Sequence, residues 1–108
     1  MARHILVVLS NPVEGKDDEY NDWYTNQHLG DVTRIDGYVS ASRYKLSEAQ
    51  LSGGQLPYGY LAIYEVETED LPATAKKLTG TEMYISPALD IATTTAWFYS
   101  PLSEQKAP

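Results

Sequence analysis

Two helix-like stretches separate four short strand-like runs in the order strand, helix, strand, strand, helix, strand, and few folds accept that order in 108 residues. The first run, residues 4–10, is continuous and β-branched, as a central strand covered on both faces would be. Asn11-Pro12 ends it, and a loop containing Gly15 leads to Asp17, a capping residue with Asp18 and Glu19 in the favourable first turn. Residues 19–29 have helical spacing. Tyr20, Trp23, Tyr24, Gln27 and His28 fall on one stripe, and Gly30 is the expected stop. Further strands are expected over 38–46, 58–66 and 91–100, with a polar loop over 47–57 around Gly53-Gly54. Thr68 is the expected cap of a second helix, which has Pro72 in its first turn, Leu71, Ala75 and Leu78 on one face, and Gly80 at its end.

This order predicts an α+β, ferredoxin-like βαββαβ fold, a four-stranded antiparallel sheet with two helices on one face. The expected organisation is a single domain over 1–102 and a loose tail over 103–108. No element remains to cover the other sheet face. A second copy on a twofold axis is the economical cover, so a homodimer through the sheet face is expected. The aromatic set of 9 Tyr, 2 Trp and 1 Phe is compatible with this, because tyrosine suits wet interfaces and amphipathic pockets as well as half-buried strands.

Several function classes drop out on composition. Fifteen Asp and Glu against 8 Lys and Arg give a net charge of -7, which argues against nucleic acid and anionic membrane surfaces as partners. The absence of cysteine removes disulfides, zinc–thiolate sites, iron–sulfur clusters and thiol catalysis. The apolar run over 5–9 is too short for a membrane span or a signal-peptide core, so no membrane association and a cytoplasmic location are expected. No histidine pair has metal-ligand spacing, and no glycine-rich loop precedes a helix. No serine sits in a nucleophile-elbow pattern, so neither a metal nor another cofactor is expected.

His28 is the main candidate for chemistry. A helix C-terminus would favour its imidazolium and apolar neighbours its neutral ring, a balance that suits an acid or base near neutral pH. Tyr24, one turn earlier, would present its hydroxyl beside it, and Asp31, three residues on, would orient the ring. The alternative is a structural histidine bonded to a carbonyl. His4 shares a strand face with Leu6, Val8 and Ser10; it faces a cavity if that side lines the space between two sheets, and is an exposed strand end otherwise. The candidate catalytic set is therefore His28, Tyr24, Asp31 and His4. Trp23, Tyr20 and Gln27 on the helix stripe and Tyr64 on the third strand form the candidate substrate-binding set.

The blocks Asn11-Pro-Val-Glu-Gly15, Tyr20-Asn-Asp-Trp-Tyr24, Asn26-Gln-His-Leu-Gly-Asp31 and Gly37-Tyr-Val-Ser-Ala-Ser-Arg43 resemble the EthD-like family of the dimeric α/β-barrel superfamily, most strongly over 5–46. The closing Trp97-Phe98-Tyr99-Ser100-Pro101-Leu102 agrees in pattern, and Gly30 stands where related sequences carry proline. The resemblance implies ferredoxin-like protomers whose sheets face each other in a homodimer with a pocket in each. It places His28 as the motif histidine, with Trp23, Tyr24 and Asp31 around it. Some cyclases of the superfamily have a working histidine at the start of the first strand, where His4 stands here.

Three functions follow as expectations. The first is a cofactor-independent enzyme of cyclase, dehydratase or isomerase type. It would use histidine acid/base chemistry on a hydrophobic, oxygenated, aromatic or polyketide-like metabolite. The second is a non-catalytic dimeric small-molecule-binding or accessory module of a degradation pathway. The third is a cofactor-free monooxygenase or haem-binding member of the superfamily.

Overall fold

A computed structural model describes residues 2–54 and 57–108. Of the loop expected over 47–57, Gln55 and Leu56 lie outside the described residues. Four strands, β1 (Arg3–Ser10), β2 (Tyr38–Lys45), β3 (Tyr60–Glu67) and β4 (Thr95–Tyr99), form one antiparallel sheet in the order β2-β3-β1-β4. The apolar run at the start of the chain is a central strand, as its composition implies. The fold is ferredoxin-like α+β.

Strand alternation divides the sheet into two unlike faces. Leu6, Ala62, Tyr64 and Val66 turn toward the helices and are buried there. Across the opposite face, Ser42, Ile63, Val7 and Trp97 lie in one row, flanked by the row of Tyr44, Leu61, Leu9 and Thr95. Trp97 is 60% exposed on this face, and among the described residues no helix packs over it. Arg3 closes one end of it by ion pairs to Glu65 and Glu67.

One irregularity decides what β2 contributes. Tyr38 pairs with Val66 but Ser40 with Glu65, so Val39 is an extra residue in the ladder. Without this bulge Tyr38 and Arg43 would point to opposite faces. With it both reach the helix side. Tyr38 donates from its hydroxyl to the Thr74 carbonyl at 2.8 Å, and Arg43 stacks on tyrosine rings. Gly37, just before β2, has φ +99°, and a Cβ there would meet the Thr74 methyl at 2.9 Å. The tight entry to β2 therefore needs glycine.

The helical layer departs from the expected pattern at its centre. Helix α1 (Asp17–Trp23) passes into a π-helical turn, Tyr24–His28, and then into α2 (Leu29–Thr33) without a break. The Leu29 amide bonds back five residues to the Tyr24 carbonyl. Gly30 does not stop the helix; it keeps right-handed geometry, and the chain continues because Val32 is buried beyond it. The wider turn also shifts the stripe. Tyr20, Trp23 and Tyr24 stay buried, while Gln27 rotates into solvent.

Smaller corrections have local causes. Lys16 occupies the cap position of α1 without a side-chain bond, and Asp17 is its first residue. Helix α3 (Leu71–Thr79) is capped by Asp70, which accepts from the Ala73 amide at 3.1 Å, while Thr68 holds the Asp70 amide at 3.0 Å. The last strand is shorter than expected. Residues Ile91–Thr93 form a 3₁₀ turn, where the Thr93 and Thr94 hydroxyls both donate to the Asp90 carbonyl. Residues 101–108 are exposed and without regular structure.

Candidate active site

The π-helical turn carries the site. It places the His28 ring flat against Trp23, with centroids 4.6 Å apart and planes 28° off parallel. It also places Tyr24 edge-on to the same ring at 5.0 Å and 87°. Trp23 is itself fixed, since its indole N–H donates to the Tyr84 carbonyl at 3.2 Å. His28 is thus held on two sides by aromatic groups anchored in the core. Its Nδ1 is buried and, among the described residues, has no hydrogen-bond partner. Burial lowers its pKa below the ordinary histidine value of 6.5, against a smaller opposing pull from Asp31. The ring is therefore neutral near pH 7.

The same histidine helps to wall an open cavity of about 1040 Å³ between the end of α3, the segment after it and the start of β4. Leu78, Met83, Ile85, Ile91 and Ala96 make most of that wall apolar, and Thr79, Thr81, Glu82 and Tyr84 supply polar atoms. A neutral imidazole at the edge of an apolar space can take or give a proton, or donate a hydrogen bond to a substrate oxygen.

Not every expected residue gathers there. Tyr24 contacts His28 but does not line the cavity. It is buried, its hydroxyl lies 3.5 Å from that of Tyr64, and burial pushes its pKa up to about 12. Tyr64 is raised further still by burial. Tyr20 is buried with its hydroxyl 2.6 Å from Ser10 Oγ, so it belongs to the core. Asp31 accepts from Arg34 at 2.9 Å rather than orienting the imidazole. Gln27 and Asp31 line a separate charged cleft of about 770 Å³ with Arg34, Asp36 and Lys77.

His28 is not at a helix C-terminus either, because the helix runs on to Thr33; the dipole assistance expected there is absent. His4 lies on the helix-covered face, not the open one, and its Nδ1 pairs with Ser100 Oγ at 2.9 Å. It does not line the His28 cavity.

Arg43 was not among the expected site residues. Its guanidinium lies over the rings of Tyr24, Tyr20 and Tyr60 at 4.5, 5.3 and 5.5 Å, and it donates to Asn21 and Thr25 at 2.9 and 2.8 Å. It props up the aromatic floor beneath the π-helical turn. The segment Met83–Ile85 was also missed, because irregular chain has no periodicity to read.

The lowered pKa has a thermodynamic consequence. An unfolded chain protonates His28 near pH 6.5, whereas the folded chain resists until lower pH, so the unfolded state binds more protons in that interval. Stability from this residue is therefore present above pH 6.5 and lost as pH falls below it. Unfolding of the wild type and of His28→Phe measured between pH 5 and 7.5 should show the wild type losing ground on acidification. A constant gap between the two would refute the burial argument.

No family profile matches the chain, and no curated protein sequence is significantly similar to it. Solved structures do share its fold. A candidate monooxygenase of Shewanella loihica PV-4 superposes with TM-score 0.58 at 17% identity, over 95% of this chain and 97% of the other. A candidate antibiotic-biosynthesis monooxygenase of Bacillus cereus gives TM-score 0.58 at 14% identity, over 99% and 100%. An ethyl tert-butyl ether d (EthD) family protein of Bacillus halodurans C-125 gives 0.51 at 12%, over 94% and 100%. The fold is thus that of EthD-like and monooxygenase-like ferredoxin-fold proteins. No helix among the described residues is long and apolar enough to cross a membrane.

Proposed function

We propose that the chain is a cofactor-independent small-molecule enzyme in which His28 serves as general acid or base toward a hydrophobic, oxygenated metabolite. The observation that carries this reading is a half-buried, neutral imidazole, clamped between Trp23 and Tyr24, at the wall of an apolar cavity. Chemistry of this kind suits a substrate already close to reaction, as in cyclisation, dehydration or isomerisation, where one placed proton carrier contributes roughly 10²–10⁴-fold. Arg43 and the tyrosines beneath the turn keep the imidazole in place and do not touch the substrate.

The test is a thermal-shift screen with aromatic and polyketide-like lactones, ketones, aldehydes and phenols, run in parallel on His28→Phe. A ligand at about 100 times its Kd stabilises the folded state by roughly 2.7 kcal/mol. Hits that weaken in the variant and are turned over only by the wild type support the reading. Hits that bind but are never turned over favour a non-catalytic binding module instead.

The designations of two fold neighbours favour a second reading, a cofactor-free monooxygenase. The same imidazole would then remove a proton from a phenolic substrate, whose anion reduces dioxygen and becomes a quinone, one oxygen atom entering the product and the other leaving as water. Substrate-dependent oxygen consumption separates the two reactions.

The open sheet face supports a homodimer. Its central rows are mostly apolar, with Val7, Leu9, Leu61, Ile63 and Trp97 beside Ser42 and Thr95, and a second copy would remove them from water. Ile63→Glu places a charge in the middle of the face and should weaken the dimer at least about 100-fold, roughly 2.8 kcal/mol. Sedimentation at several concentrations reads this directly. An undiminished dimer would assign the interface elsewhere.

A further inference from the structure

We propose that the His28 cavity selects uncharged ligands bearing a hydrogen-bonding oxygen and turns away carboxylates. This substrate class rests on the His28 reading above, and three features of the wall support it. Among the described residues lining the cavity, Glu82 is the one with a full charge, and none is lysine or arginine. Leu78 and Thr79, the last residues of α3, also line it, so the cavity receives the negative end of a helix. Lys76 and Lys77 stand in the last turn of α3 but neither lines the cavity, and Lys77 and the cations of the neighbouring elements are held by partners. Arg34 is paired with Asp31, Lys77 with Asp36, and Arg43 with Asn21, Thr25 and the tyrosine rings.

A carboxylate entering the cavity would give up water without meeting a positive partner, and would face Glu82 as well. The neutral imidazole offers it no compensating charge. An ester, lactone, ketone or phenol brings the same apolar body and a comparable oxygen without that penalty. The chain's net charge of -7 adds a general bias against anions during approach.

The experiment compares matched probes by titration calorimetry at pH 7.5 and low salt. The pairs are methyl 2-naphthoate against 2-naphthoate, and dihydrocoumarin against its ring-opened acid, each measured on wild type, Glu82→Gln and His28→Phe. The neutral member should bind at least about tenfold tighter to the wild type. Glu82→Gln, at an exposed position, should narrow the gap by improving the anion. An anion that binds as tightly as its neutral partner overturns the proposal, and so does a failure of both members to bind. If the neutral preference persists and His28→Phe neither weakens binding nor slows turnover of a screened substrate, the cavity assignment stands and the role of His28 falls.

Discussion

His28→Phe should lower turnover by roughly 10²–10⁴-fold, about 2.7–5.4 kcal/mol of transition-state stabilisation, while leaving the fold intact. Phenylalanine keeps a planar ring against Trp23, one atom larger, and lacks the two nitrogens, one of which is already buried without a partner. Deleting an unsatisfied polar atom from an apolar setting costs little or is favourable, so the melting temperature should hold or rise. The measurement is kcat for a substrate found by the screen, with a thermal melt beside it. Turnover within a factor of three of wild type would end the assignment of His28 as proton carrier.

Trp23→Ala should cost about 3–5 kcal/mol of stability, a large share of the 5–15 kcal/mol typical of a folded domain. The residue is buried, touches Tyr24 at 5.1 Å between centroids, and ties the π-helical turn to the segment after α3 through its bond to Tyr84. Its loss removes both a core ring and the surface on which His28 rests. Trp23→Phe, which keeps most of the area but not the indole N–H, should cost nearer 1–2 kcal/mol. Urea titration with unchanged m-values would establish that stability alone has moved. A loss below 1 kcal/mol for Trp23→Ala would mean that the turn is held by something other than this contact.

The order of elements, the sheet topology and the cluster of Trp23, Tyr24 and His28 were legible in the sequence, because each rests on local signals. Asn11-Pro12 stops a strand, and the spacing of aromatic residues marks a helix face. What escaped depends on single-residue slips that no periodic template contains. The π-helical turn adds one residue to a helix, which turned Gln27 outward and carried the chain past Gly30. The bulge at Val39 adds one residue to a strand, which swung Arg43 onto the helix side. A parity count from Tyr38 sends Arg43 to the wrong face, so its place beneath the tyrosines could not be read. His4 was followed correctly by parity to the face of Leu6 and Val8, but parity does not say which face the helices cover. Asp31 sits at a plausible spacing from His28, yet Arg34, three residues further along the same helix, claims it.

The placement of the two tryptophans gives the chain a pair of optical labels. Trp23 is 5% exposed and stacked on the imidazole, whereas Trp97 is 60% exposed on the open sheet face. Emission from the first should be that of an indole in an apolar setting and should be quenched when the neighbouring ring takes up a proton. Emission from the second should be that of an indole in water and should shift to shorter wavelength if that face becomes covered. Single replacements of either indole therefore separate ionisation at the site from association of the protein, with no added dye and no substrate in hand.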